Sequence, residues 1–245
     1  PPRSRRLRRG SHRRVARLTG RIGGLADRVS TPWMLRTATA LVAGVAMYGA
    51  FPPRTLWFLA VISLGLLAGL LGYDRPGARI GAWIGFVYGL AFFLPLIPWI
   101  GVYVGPVPWI ALSVVLALYL ALFGAIATIT MRLPIPPIWF TLSWILVEWV
   151  RSSFPFGGFP WGRTAFSQAD GPLLPLASIL GAPGLSAAVA LLGSSVMWLL
   201  VMIVDRVRDG RTVDDADQAP ARRFAVRWAV VAVILALAAP VGAIL

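Results

Sequence analysis

VPWIALSVVLALYLALFGAIATITM, residues Val107 to Met131, decides the fold, because it runs for twenty-five residues without a charge. A helix rises about 1.5 Å per residue, so about 20 such residues cross a hydrocarbon core of about 30 Å. Helices of soluble cores keep a polar face, and this stretch has none. Working outward, similar stretches recur. Ile80–Ile100 and Thr55–Gly72 precede it, separated by the turn Tyr73-Asp74-Arg75-Pro76-Gly77. Leu35–Phe51 comes earlier still and is closed by Pro52-Pro53, which cannot continue a helix. Pro134, Pro136 and Pro137 mark the next loop, followed by a Trp-rich stretch over Ile138–Ser153. Gly184–Val204 and Phe224–Ile244 complete the set. The chain reads as an all-α membrane protein of about seven transmembrane helices, with an irregular aromatic, Gly/Pro-rich external loop. Residues 1–34 form an Arg-rich cytoplasmic tail and 35–245 the transmembrane domain. The 58% hydrophobic content agrees, against roughly 45–50% in soluble domains.

The charge is as informative as the apolar runs. Of 23 basic residues all are arginine, and with 9 acidic residues the formal net charge is +14. Such a balance raises nucleic acid as a partner, but its position argues against one. Eleven arginines, Arg3 to Arg36, crowd before or at the first apolar run. Each is attracted to an anionic leaflet by about 1 kcal/mol, so the expected partners of the tail are anionic lipid head groups. A surface-lying amphipathic piece is expected around Val15 to Val29, and His12 reads as a solvated bystander. The tail is too long and too Arg-dense for an ordinary signal peptide. With the tail placed inside, twenty arginines fall on the inner side and only Arg54, Arg151 and Arg163 outside. The expected location is the cell membrane, with a cytoplasmic amino terminus and an extracytoplasmic carboxyl end. The chain has no cysteine, which excludes disulfides and thiolate metal sites. No metal site and no cofactor is expected.

Two smaller patterns stand apart from the crossings. Pro172 to Gly181 is apolar but only ten residues long, and reads as interfacial or re-entrant. The loop Asp205–Arg223, with Asp214, Asp215 and Asp217, reads as solvated. Gly81, Gly85 and Gly89 share one helix face and predict a close helix–helix seam, against the plainer reading of the general glycine content of membrane helices.

Glu148 is the one glutamate of the chain and lies three residues before Arg151, so both project from one helix face. A carboxylate in a span costs about 2.5–3.5 kcal/mol at mid-bilayer and less near the interface. The pair either organises the external loop or meets a polar head group, or else simply neutralises itself so that the helix inserts. After it comes Phe154-Pro-Phe-Gly-Gly-Phe-Pro-Trp161-Gly162, then Ala165-Phe-Ser-Gln168. Glycines 157 and 158 permit unusual backbone angles, while Pro155 and Pro160 remove freedom. Four aromatics in eight residues fit a belt at head-group depth, but a belt does not need a rigid turn beside a charged pair.

These residues carry a family resemblance. Glu148-Trp-Val-Arg151, Gly158-Phe-Pro-Trp161 and Ser167-Gln168-Ala-Asp-Gly-Pro172 resemble the transmembrane part of bacterial apolipoprotein N-acyltransferases. Phe51-Pro-Pro-Arg-Thr-Leu-Trp57 resembles that family's first external loop, and Leu96-Ile-Pro-Trp99-Ile-Gly-Val-Tyr103 the end of its third span. The wording of Pro155 to Gly162, with Val104 to Trp109, is similar to the actinobacterial branch, where the module is sometimes fused to a polyprenol-phosphate mannosyltransferase. The resemblance spans roughly residues 35–205. It implies an external nitrilase-like domain with a Glu–Lys–Cys triad, which moves an acyl chain from a phospholipid, through a cysteine thioester, to the α-amine of a diacylated apolipoprotein. This chain has neither Cys nor Lys, so the triad and the catalytic domain are expected to be absent from it and the fragment alone inactive. The family's usual Tyr before Ser-Gln is Phe166 here, which puts a hydroxyl contact in doubt. By the resemblance, Glu148, Arg151, Phe159, Trp161 and Gln168 are expected in substrate or interdomain roles, with Trp99 and Tyr103 beside them. The expected function is to anchor the enzyme and guide the phospholipid donor and the lipoprotein acceptor. A second reading is a non-catalytic docking module for a polyprenol-phosphate mannosyltransferase. A small transporter fits poorly, because Glu148, near a span end, is the one acidic residue within the spans.

Overall fold

The computed structural model describes residues 33–72 and 76–208. The tail with its amphipathic piece and His12, most of the loop 205–223, and the expected seventh span at 224–244 lie outside the described residues. By internal contact the chain divides into Pro1–Ala38 and Thr39–Leu245. Of the first, residues 33–38 are described and helical, with Thr37 Oγ1 donating to the Trp33 carbonyl at 3.0 Å. The second holds a helical bundle, and no strand occurs among the described residues.

Seven helices make up the described chain. They are α1 (33–49), α2 (Phe58–Gly72), α3 (Ala78–Leu96), α4 (Trp99–Val104), α5 (Pro106–Thr130), α6 (Pro136–Arg151) and α7 (Ala177–Arg208). Two 3-10 turns, Thr164–Gln168 and Leu174–Leu176, lie between α6 and α7. Proline and glycine set most boundaries. Pro106 opens α5 and Pro136-Pro137 open α6, at positions where a missing N–H costs nothing. Among the described residues, three segments are long and apolar enough to cross a membrane: Ala78–Leu96, Pro106–Thr130 and Leu174–Val204. Phe58–Gly72 is apolar but only 15 residues long.

Two boundaries differ from the sequence reading. The stretch expected as one crossing over 80–100 ends at Leu96, and α4 follows as a separate short helix. The cause is Pro98, which cannot give a backbone N–H to the carbonyl of Leu94. The indole Nε1 of Trp109, across on α5, fills that acceptor at 3.1 Å. The second difference concerns Pro172 to Gly181. Its last residues form the first turn of α7, bent from the rest at Gly181, whose φ of 65° breaks the helical path.

The core is held in two ways. Gly81, Gly85 and Gly89 do form a seam, with α3 lying on α5 over the most extensive helix contact of the bundle. A Cβ at Gly85 would collide with the Leu120 carbonyl, and one at Gly81 with that of Gly124. The two backbones approach as far as the chain permits, which maximises dispersion contact. Between α1, α2 and α3 a polar knot does the joining. Ser63 Oγ donates to the Ala43 carbonyl at 2.7 Å and lies 2.9 Å from the Tyr88 hydroxyl, all of it buried. Outside, Leu118, Leu122, Ile129, Leu142 and Leu146 are exposed. An apolar exterior on apolar helices is the surface of a membrane protein.

Candidate functional site

At one end of the bundle the chain leaves α6 at Arg151, turns through residues 152–158, and runs back along the helix it has just left. Phe159 N–H bonds the Arg151 carbonyl at 2.8 Å, and Gly158 N–H bonds that of Pro155 at 2.8 Å. Gly158 makes the reversal possible. Its φ is 75°, and a Cβ there would strike the backbone of Ser152.

The returning segment lies on two buried charges. Arg151, 3% exposed, donates from Nη1 to the carbonyls of Phe159 (2.7 Å) and Trp161 (2.6 Å). Glu148, 7% exposed, accepts the Thr164 N–H at 2.7 Å. One turn apart on α6, the cation takes the carbonyls and the anion takes an N–H. Their direct hydrogen-bond partners are loop backbone groups rather than each other, while their mutual attraction persists across the gap. In the structure the pair is tied to the loop backbone. Charge-assisted bonds of this kind contribute about 1.5–3 kcal/mol each where a neutral bond contributes about 1.

Further residues complete the grip, and sequence reasoning missed them. Trp144, one helical turn before Glu148, donates from Nε1 to Thr164 Oγ1 at 3.0 Å. Ser186 of α7 accepts the Ala165 N–H at 3.0 Å. Tyr119 of α5 donates to the Phe154 carbonyl at 2.7 Å. Trp144 was legible as a face-mate of Glu148 at four-residue spacing. Tyr119 and Ser186 carried no such signal, because their partners are distant in sequence.

Gln168 is fully buried in the 3-10 turn and works elsewhere. Its Nε2 donates to the Trp57 carbonyl at 3.2 Å and to Ser167 Oγ at 3.0 Å. It therefore pins this loop to the turn at 51–57, and its Oε1 has no hydrogen-bond partner among the described residues. Glu148, Arg151 and Gln168 are thus buried positioning groups. Phe159 is partly buried against the core.

The exposed members are aromatic. Trp161, 56% exposed, meets Trp99, 45% exposed, edge to face with centroids 5.9 Å apart. Gly162 follows at φ 76°, packed so closely on Phe93 that a Cβ would crowd its ring. This sets the direction in which Trp161 leaves the chain. Tyr103 stands apart on α4, 83% exposed, with no hydrogen bond among the described residues. Phe166, in the place of the expected tyrosine, is exposed, as are Phe154 and Phe156. Beneath them, Phe92, Phe93, Leu120, Trp144, Glu148, Arg151 and Gly162 enclose a cavity of about 10 Å³, room for one water at most. No group of acidic or histidine side chains fit to hold a metal occurs among the described residues. The arrangement is a platform at one end of the bundle: charges inside, rings outside.

Residues 43–195 match the family described as apolipoprotein N-acyltransferase N-terminal domain. The chain is 44% identical over 191 residues to the apolipoprotein N-acyltransferase of Mycolicibacterium smegmatis, covering 78% of this chain and 31% of that protein. It is 32% identical over 190 residues to that of Shewanella oneidensis, covering 71% of this chain and 36% of that protein. Against that of Ralstonia nicotianae it is 35% identical over 175 residues, covering 64% and 33%. The chain thus spans about a third of the length of these relatives.

Proposed function

This chain belongs to the apolipoprotein N-acyltransferase family, and we propose that it is the membrane domain that anchors such an enzyme and guides its lipid substrates. It crosses the cell membrane seven times, with the Arg-rich tail in the cytoplasm and the loop at 152–171 on the outer face. The acyl donor is a membrane phospholipid and the acceptor a diacylated apolipoprotein. Transfer runs through a cysteine supplied by an external nitrilase-like domain, since this chain has neither Cys nor Lys. Here the chain contributes no catalytic residue.

One observation carries this reading: the loop is immobilised from within by Glu148 and Arg151, and it holds the Trp99–Trp161 pair outward. Indole rings combine an apolar body with a polar N–H and settle at the boundary of hydrocarbon and head groups. A fixed pair at that depth is a wall along which a two-tailed lipid is led to an active site above it. Fixed geometry matters because a nucleophile and its substrate must meet within about 3–3.5 Å. No specific observation favours a docking role for a polyprenol-phosphate mannosyltransferase.

The test uses the complete open reading frame in cells depleted of their own N-acyltransferase. Trp161→Ala and Glu148→Gln proteins that insert normally are expected to leave diacylated lipoprotein unacylated at its amine, read by mass spectrometry of lipoprotein amino-terminal peptides. Full N-acylation in both variants would falsify the guiding role.

A further inference from the structure

Arg163 stands two residues after Trp161 and is not used by the grip just described. Its Nε donates to Ser152 Oγ at 3.1 Å, at the C-terminal cap of α6. The side chain is half-buried and therefore held. A guanidinium has five N–H donors, and among the described residues the two terminal nitrogens of Arg163 have no hydrogen-bond partner.

Two guanidiniums lie near one another here, since Arg151 feels the repulsion of Arg163 as well as the attraction of Glu148. Arg151 is committed to the Phe159 and Trp161 carbonyls and Glu148 to the Thr164 N–H. Arg163 is the guanidinium whose terminal donors stay uncommitted, and it follows by two residues the exposed Trp161, whose ring meets Trp99 of α4.

We propose that Arg163 is the head-group anchor of this platform, its terminal nitrogens binding the phosphodiester of a phospholipid while Trp161 and Trp99 lie against the glycerol and the first methylenes. The planar fork of arginine matches two oxygens on one phosphorus, where a lysine would give only a point charge. Free phosphate presents the same oxygens but nothing for the indoles to cover. The proposal rests on the outward, lipid-guiding reading given above. Its test reads lipid binding alone, so it can fail while N-acylation stands, and the reverse.

The chain is purified in a non-ionic detergent, and binding of dihexanoylphosphatidylglycerol, dihexanoylglycerol and inorganic phosphate is followed by native mass spectrometry and by Trp fluorescence. The expected result is one saturable site for the phospholipid. Arg163→Gln should weaken it by about tenfold or more, the effect of losing charge-assisted hydrogen bonds. Arg163→Lys should fall between the two, and dihexanoylglycerol should not distinguish wild type from Arg163→Gln. Ser152→Ala keeps the charge but frees the side chain, and should weaken binding less than Arg163→Gln does. Unchanged thermal unfolding of Arg163→Gln shows that the fold is retained. Equal phospholipid binding by wild type and Arg163→Gln overturns the proposal. Inorganic phosphate binding as tightly as the phospholipid also overturns it, in favour of a free-anion site.

Discussion

The seam between α3 and α5 and the loop gripped by α6 are both close approaches of backbone, yet opposite physics achieves them. In the seam, side chains are removed. Gly81, Gly85 and Gly89 leave nothing between two helices whose own hydrogen bonds are already complete, so contact itself is the gain. In the loop the backbone is irregular, its N–H and C=O groups unpaired by any helix, and charged side chains are added to pair them. A membrane protein tolerates non-helical backbone only where protein buries and satisfies it. Charge buried at Glu148 and Arg151 is therefore the condition for an ordered loop at this end, while the seam needs no polar atom.

That contrast can be broken by substitution. Arg151→Ala should have the largest effect: it strips two carbonyls of their donor and leaves Glu148 without a counter-charge, a loss of about 3–5 kcal/mol for a broken buried charge arrangement. Thermal unfolding in detergent reads it, and a cost no larger than that of a seam variant would remove the distinction. Gly85→Ala comes next, at about 2–3 kcal/mol, near the top of the range for overpacking because the new methyl meets the Leu120 carbonyl and not a movable side chain. Gly77→Ala is its control, since a Cβ there meets nothing within 4 Å, and it should stay within about 0.5 kcal/mol of wild type. Thr164→Val should cost about 1–2 kcal/mol by orphaning the Trp144 N–H, visible as a red-edge change in Trp emission as well as in the midpoint. Apart from the Gly77→Ala control, Trp161→Ala should be the mildest, about 1 kcal/mol or less, because its partner ring is half in solvent. A drop as large as that of Arg151→Ala would mean that the rings hold the loop too.

What could be read beforehand follows the same division. Helices were legible because apolar length and Pro/Gly punctuation are local: Pro52-Pro53 and Pro136-Pro137 lie at or beside the observed boundaries. The Gly81 stripe was legible because four-residue spacing places side chains on one face. Glu148 with Arg151 was legible as a pair for the same reason, but not what the pair holds. Its partners, Phe159, Trp161 and Thr164, are fixed by a chain reversal whose path depends on Gly158, Gly162 and packing against Phe93, none of which has a periodic signature. Trp99 and Trp161 were singled out separately and found together, whereas Tyr103, chosen for the same reason as Trp99, stands alone. Resemblance can name positions; it does not say which of them touch.

Trp109 gives the platform an unexpected dependence. Its indole N–H covers the carbonyl that Pro98 leaves open, and α4, which begins at Trp99, departs from that very joint. The aim of an outward ring is thus governed from behind by an indole on a different helix. A survey of variants scored for lipid processing should therefore find position 109 sensitive through the joint it braces. The smallest informative change there, to phenylalanine, leaves bulk in place and deletes one proton donor.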